Sequence, residues 1–382
     1  MNSSGIPLLW LCGPSGVGKS TVGFEIFSRL SRAGTRAAFI DTDQISLCHP
    51  PPTENTHELR SRSLGAIWPN LRAAGMECLV LSGFVDTLEE VRLYTDAVPE
   101  ADITVHRLRV ESDELRQRFI NRGWRPDLVD DALAEADSLD HADFTGRSID
   151  TSGLTASQVA GRVLDQAGAL PHISETPRDS PAQPSPPGDP PSPSSAPIPA
   201  LWICGATGVG KSTVGFEIYL QIVRSGIRAA YVDLQQIGFL HPTTEDDHHI
   251  KAANLAALWT VFRDAGTRCL VISGHVSRPD IIRTYVDLLP GTALTVCRLH
   301  AASDTLTTRI LLRGQGRGPT LPGDKLRGQP PTVLHQIAEQ AARDAGDLDD
   351  SGIGDFCVDT DEQSVEEIAR QVRALADGRP GL

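Results

Sequence analysis

With 382 residues, 40% of them hydrophobic, the chain exceeds the usual size of a single domain, and two cores are expected. A formal net charge of −14, from 35 basic and 49 acidic side chains, leaves no broad basic field for nucleic acid or anionic lipid, so neither is an expected partner. The start MNSSGIPLLWLCG has no basic flank and no later run reaches the roughly 20 apolar residues of a membrane span, which points to a cytoplasmic protein without membrane attachment. Cys12, Cys78, Cys204 and Cys269 sit in apolar strand-like runs without C-x-x-C spacing, and buried thiols are expected rather than disulfides or zinc ligands.

Taken in chain order, a strand over 7–12 runs into a glycine-rich turn and then a helix. The segment Trp10–Phe27, WLCGPSGVGKSTVGFEIF, recurs 192 positions later as WICGATGVGKSTVGFEIY, with fourteen of eighteen positions identical. Each copy fits G-x-x-x-x-G-K-[ST], whose glycines let backbone N–H groups encircle a phosphate at a helix start. The first loop comprises Gly13, Pro14, Ser15, Gly16, Val17, Gly18, Lys19, Ser20 and Thr21. The second comprises Gly205, Ala206, Thr207, Gly208, Val209, Gly210, Lys211, Ser212 and Thr213. Lys19 and Lys211 are expected to bridge the β- and γ-phosphates of a nucleoside triphosphate, and Ser20 and Ser212 to ligate Mg²⁺.

A second strand over 37–41 ends in Asp41-Thr42-Asp43, and a third over 78–82 ends in Ser82-Gly83. No acidic pair follows that third strand and no N-K-x-D motif is present, so motor ATPase and GTPase readings lose support and ATP is the simpler nucleotide. Arg92 and Tyr94 follow, as surface residues of a helix or as candidates for holding an acceptor. A strand over 103–108 leads to SDELRQRFINRG, where Arg118 and Arg122 share a helical face. A strand over 147–150 and a closing helix complete the first copy.

Residues 171–199 hold eleven of the 27 prolines and read as a linker, disordered or polyproline, long enough to separate two bodies by tens of ångströms. A protein partner at its PxxP elements is the less supported alternative to a spacer. The second copy repeats the strands at 200–204, 229–233, 269–273, 294–299 and 355–359. Its register slips by one residue near Pro50–Pro52, and it gains an insertion around Gly314–Pro331. Asp233 retains the place of Asp41, but Gln235 replaces Asp43; Arg309 and Arg313 match Arg118 and Arg122. Trp68 and Trp259 read as core residues. His248 and His249, after Asp246 and Asp247, read as loop residues rather than a metal site, and His49 and His241 as loop histidines closing the second strand.

This order of strands and helices predicts an α/β fold: two doubly wound parallel-sheet domains in tandem, spanning 1–170 and 200–382. The phosphate loop followed by D-x-D resembles the shikimate, gluconate and adenylylsulfate kinase group of P-loop NTPases, and the chain is also similar to bacterial proteins known only as ATP-binding. The resemblance implies that Asp41 and Asp233 support Mg²⁺ and that Asp43 accepts a proton from an acceptor hydroxyl. It also implies that Arg118, Arg122, Arg309 and Arg313 lie in a lid over the transferring phosphate. Read from the residues alone, the acids also suit capping of the next helix, and the arginines a solvated basic face. The expected function is Mg-ATP-dependent phosphoryl transfer to a small hydroxylated acceptor. The rival is a regulatory nucleotide-binding protein or slow ATPase switch.

Overall fold

Two runs of apolar residues, Ala37–Asp41 and Cys78–Ser82, are buried at every position, as strands covered on both faces must be. The fold is given by a computed structural model that describes residues 5–51, 53, 55–121, 126–141, 147–168, 197–241, 248–318 and 321–377. In the N-terminal half β1 (Ile6–Cys12), α1 (Lys19–Arg32), β2 (Ala37–Asp41), β3 (Cys48–His49), α2 (Thr56–Ala73) and β4 (Cys78–Ser82) come first. They are followed by α3 (Leu88–Ala97), β5 (Ala101–Arg109), α4 (Ser112–Asn121), α5 (Val129–His141), β6 (Arg147–Asp150) and α6 (Ala156–Ala167). The C-terminal half runs β7 (Ile198–Cys204), α7 (Lys211–Arg224), β8 (Ala229–Asp233), α8 (His248–Asp264), β9 (Cys269–Ser273) and α9 (Pro279–Val286). It closes with β10 (Thr292–His300), α10 (Ser303–Gly314), α11 (Pro331–Ser351), β11 (Phe356–Asp359) and α12 (Val365–Asp377).

The N-terminal sheet has the order β2-β4-β1-β5-β6 with every pairing parallel, and the C-terminal sheet has the order β11-β10-β7-β9-β8-β3. In each sheet the chain turns from one side of its first strand to the other, and a crevice opens outside the carboxyl ends of β1 and β7. The chain is thus an α/β protein with parallel sheets, and the strands expected from sequence lie within a residue or two of those observed.

The two halves meet through an exchange of short strands that local periodicity did not reveal. β3, which follows β2 in the chain, pairs antiparallel with β8 of the other half, Cys48 opposite Ala230. Leu240 bridges Ala38 in return. The Tyr231 N–H donates to the Leu47 carbonyl at 2.8 Å, and the Phe39 N–H donates to the Phe239 carbonyl at 3.0 Å. The 192-residue offset maps 39 to 231 and 47 to 239, so these are one interaction made twice about an approximate twofold. His49 and His241, read as loop histidines, are part of this exchange, with the His241 N–H on the Ala37 carbonyl.

Helices α2 and α8 pack beside it, with Asn70 donating to Asn254 at 3.1 Å and Arg62 reaching Asp264 at 3.7 Å. A single buried cluster contains Trp10, Ile67 and Trp68 from the first half and Trp202, Leu258 and Trp259 from the second. Both Trp68 and Trp259 are core, as expected. The halves are in direct contact, whatever the reach of the proline-rich segment. That segment, apart from 197–199, lies outside the described residues. Six cysteines are buried and Cys357 is exposed, all as free thiols. Among the described residues no helix is long and apolar enough to cross a membrane.

Candidate nucleotide sites

Helices α2, α3 and α6 are closed at their N-termini by the side chains of Asn55, Thr87 and Thr155, which accept backbone N–H groups. Helices α1 and α7 begin instead at Gly18 and Gly210 in left-handed conformation with no side-chain cap. Their first N–H groups therefore face the loop, where an anion satisfies them best. Gly13 has φ 141°, and a Cβ there would stand 2.5 Å from the Leu108 carbonyl oxygen; Gly205 repeats this at 2.6 Å from that of Leu299. The close approach of the loop to β5 and to β10 therefore requires glycine.

Lys19 arches back over the loop, donating to the carbonyls of Gly13 at 2.8 Å and Pro14 at 3.0 Å, and Lys211 donates to that of Ala206 at 2.9 Å. Burial lowers both lysines from the usual range, opposed by the carboxylates of Asp43, Glu135 and Asp41 around the first and Asp233 and Asp344 around the second. Ser20 Oγ donates to Asp41 Oδ2 at 2.5 Å, and Ser212 Oγ to Asp233 Oδ2 at 2.6 Å. The other oxygen of each aspartate accepts the N–H two residues on, from Asp43 at 3.1 Å and Gln235 at 3.0 Å. Burial is the main force raising Asp41, to about 6, with Asp43 adding to it, and burial likewise raises Asp233.

A hydroxyl against a buried carboxylate is an all-oxygen donor set suited to Mg²⁺, which takes one or two protein oxygens and fills its shell with phosphate and water. Among the described residues no group of three or more His, Cys, Asp or Glu side chains forms a dedicated cage. His248, weighed with its neighbours as a metal cluster, is buried and bonded to Tyr285 at 2.9 Å; Asp246 and Asp247 lie outside the described residues.

Asp43 is brought near Lys19 but not into contact with it: its side chain is 62% exposed and ion-paired with Arg60 at 2.6 Å. Gln235 is exposed and donates to the Gly323 carbonyl at 3.2 Å, so the insertion touches this position in the C-terminal half. Arg118 reaches the loop from α4 and also lines the cavity beside it. It donates to the Val17 carbonyl at 3.1 Å and to Thr151 Oγ1 at 3.0 Å, and pairs with Glu114 at 2.6 Å. Arg309 makes the matching bonds to Val209 at 3.2 Å and Thr360 Oγ1 at 2.8 Å. Both arginines tie the loop to the chain after β6 or β11. Arg313 instead pairs with Asp324 of the insertion at 2.9 Å, and Arg122 lies outside the described residues. Tyr94, read as a surface or acceptor-holding residue, is fully buried against Trp10 and shares a hydrogen bond with His57 at 3.2 Å.

Beside the first loop a cavity of about 260 Å³ is lined by Gly16, Thr21, Arg118, Thr151, Leu154 and neighbouring residues. A second, of about 390 Å³, lies between the halves among Phe24, Phe27, Phe239, Gln235 and Lys325. Two residues absent from the sequence reading also reach the loops. Glu135 of α5 accepts the Ser15 N–H at 2.7 Å, and Asp344 of α11 acts on Lys211. Their equivalence was hidden by the insertion, which moves the register from 191 (Arg118 to Arg309) to 209 (Asp140 to Asp349). The larger offset superposes the buried faces of the two helices, Val129, Ala132 and Leu139 on Ala338, Ala341 and Leu348. The ion pairs Arg107–Asp140 and Arg298–Asp349 confirm that register.

No family model matches the chain, and no curated protein does. Solved structures similar to it include a tunicamycin resistance protein of Deinococcus radiodurans, 18% identical over 42% of this chain and 95% of that one, with a TM-score of 0.33. A gluconokinase from Sinorhizobium meliloti is 19% identical over 42% of this chain and 90% of its own, TM-score 0.31. An APS kinase of Mycobacterium tuberculosis, in complex with AMPPNP and APS, is 16% identical over 48% and 99%, TM-score 0.31. Each spans under half of this chain.

Proposed function

We propose that the chain is a tandem of two kinase-like phosphate-loop domains, 1–170 and 200–382, joined by the linker 171–199, and that both bind ATP. The observation that carries this reading is the duplicated geometry of the loops. In each half an uncapped helix N-terminus, an arching lysine and a serine bonded to a buried aspartate stand together at the carboxyl end of the first strand. When bound, Mg²⁺ would be held by Ser20 with Asp41 or by Ser212 with Asp233, and would neutralise charge on the phosphates. The loop N–H groups and Lys19 or Lys211 hold the phosphates, and Arg118 or Arg309 fixes the loop.

The N-terminal half is the proposed catalyst. Asp43 stands near Lys19 at a solvent-facing mouth, where a carboxylate released from Arg60 accepts the proton of a hydroxylated acceptor. The bond between Gln235 and the Gly323 carbonyl favours a second reading for the C-terminal half, nucleotide binding with a regulatory role. Purified protein incubated with Mg-ATP and a panel of hydroxylated metabolites tests both. Acceptor-dependent ADP formation lost in Lys19→Ala supports transfer by the N-terminal half. ADP formation indifferent to every acceptor favours the ATPase switch, and greater loss in Lys211→Ala moves catalysis to the other half.

A further inference from the structure

A carboxylate on a nucleotide-binding loop is in the place of an anion. Glu135 projects from α5 and takes the Ser15 N–H at 2.7 Å, a backbone donor of the glycine-rich loop read as the phosphate cradle. Its electrostatic reach extends to Lys19, alongside Asp43 and Asp41. A triphosphate brings several further negative charges to this loop, and two anions on the same donors repel. The C-terminal half has the matching acid one methylene shorter. Asp344 accepts from Gln340 of its own helix at 2.8 Å rather than from the Thr207 N–H, although its field still reaches Lys211.

We propose that Glu135 is a determinant of nucleotide affinity that competes with phosphate for the first loop, making the C-terminal loop the tighter of the two nucleotide sites. Binding in the N-terminal half then requires Glu135 to leave the Ser15 amide and α5 to withdraw with it, whereas α11 imposes no such displacement. The exchange involves no covalent step. The proposal rests on the reading of both loops as nucleotide sites, and its test separates the two.

The full-length chain carrying Lys211→Ala reports the N-terminal loop, and the chain carrying Lys19→Ala reports the C-terminal loop. Each is titrated calorimetrically with Mg²⁺ and a non-hydrolysable ATP analogue. The C-terminal loop is expected to bind about tenfold tighter, and Glu135→Gln or Glu135→Ala in the Lys211→Ala chain to recover most of that factor. Without nucleotide, amide exchange at Ser15 is expected to quicken in Glu135→Ala. Unchanged or weaker binding in both Glu135 variants, or a tighter N-terminal loop in the otherwise native chain, overturns the proposal while leaving the loops as nucleotide sites. Undiminished binding in the Lys19→Ala, Lys211→Ala double variant overturns the nucleotide reading itself.

Discussion

Replacing Asp41 by Asn tests whether the buried acid proposed to support Mg²⁺ is kept at a cost to stability. The carboxyl is held to about 6 in the folded chain against 3.8 when unperturbed, chiefly by burial. The folded state therefore retains this proton over a range in which the unfolded state has released it. Unfolding releases a proton there, so stability falls as pH rises, by up to about 1.4 kcal/mol per unit and about 3 kcal/mol in total by pH 7. The amide introduced by Asp41→Asn mimics the neutral acid. Its carbonyl can still accept the Asp43 N–H, which lies 3.1 Å from the native carboxylate, and Ser20 keeps Ser82 within 3.2 Å as a partner. Urea denaturation without nucleotide or divalent cation should show Asp41→Asn near native stability at pH 4 and about 3 kcal/mol more stable at pH 7.5. Mg-ATP at 1,000 times Kd should reverse the order, because the native chain gains about 4.1 kcal/mol of stability from ligand that the variant lacks. A variant no more stable than the native chain at pH 7.5, or a difference independent of pH, refutes the reasoning.

Other outcomes follow from single observations. Burial holds His57 neutral, lowering it to about 4 from 6.5, so the folded state binds fewer protons than the unfolded one between those values. Its contribution is intact above pH 6.5 and fades as pH falls toward 4, by about 3 kcal/mol; denaturation of His57→Gln should lack this acid-side decline, and an unaltered profile counts against it. Gly13→Ala drives a Cβ to 2.5 Å from the Leu108 carbonyl oxygen and should abolish nucleotide binding at the first loop, whereas Gly18→Ala, with nothing within 4 Å but φ 103°, should cost about 1–2 kcal/mol of stability. Phe239 packs on Phe24, Phe27 and Phe39 across the halves, and Phe239→Ala should cost about 2–3 kcal/mol while the native chain unfolds in one transition. Two well-separated transitions in the native chain contradict the shared core.

Much of each half was legible because strand, glycine turn and helix are local matters. Continuous apolar runs marked 37–41 and 78–82 as buried strands, and the spacing of Gly13, Gly18 and Lys19 located the loop. Arg118 shows where such reading stops. Its i, i+4 spacing from 122 gave a helical face, but only packing of α4 against the loop turned the guanidinium to the Val17 carbonyl. Tyr94 is similar: sequence placed it on a helix, and the contact with Trp10 put it in the core.

From residue identities alone it followed that the G-x-x-x-x-G-K-S segment occurs twice, that each copy follows a strand and opens a helix, and that Gln235 stands where the first copy has Asp43. Those properties depend on chemical identity and short spacing, which the chain displays directly. Tertiary packing was needed to show that β3 and the 239–241 segment cross between the halves, that the insertion reaches Gln235, and that Glu135 lies on the loop. Each joins segments tens to hundreds of positions apart, and their meeting is set by which buried faces fit and which edge N–H and C=O groups remain to be paired.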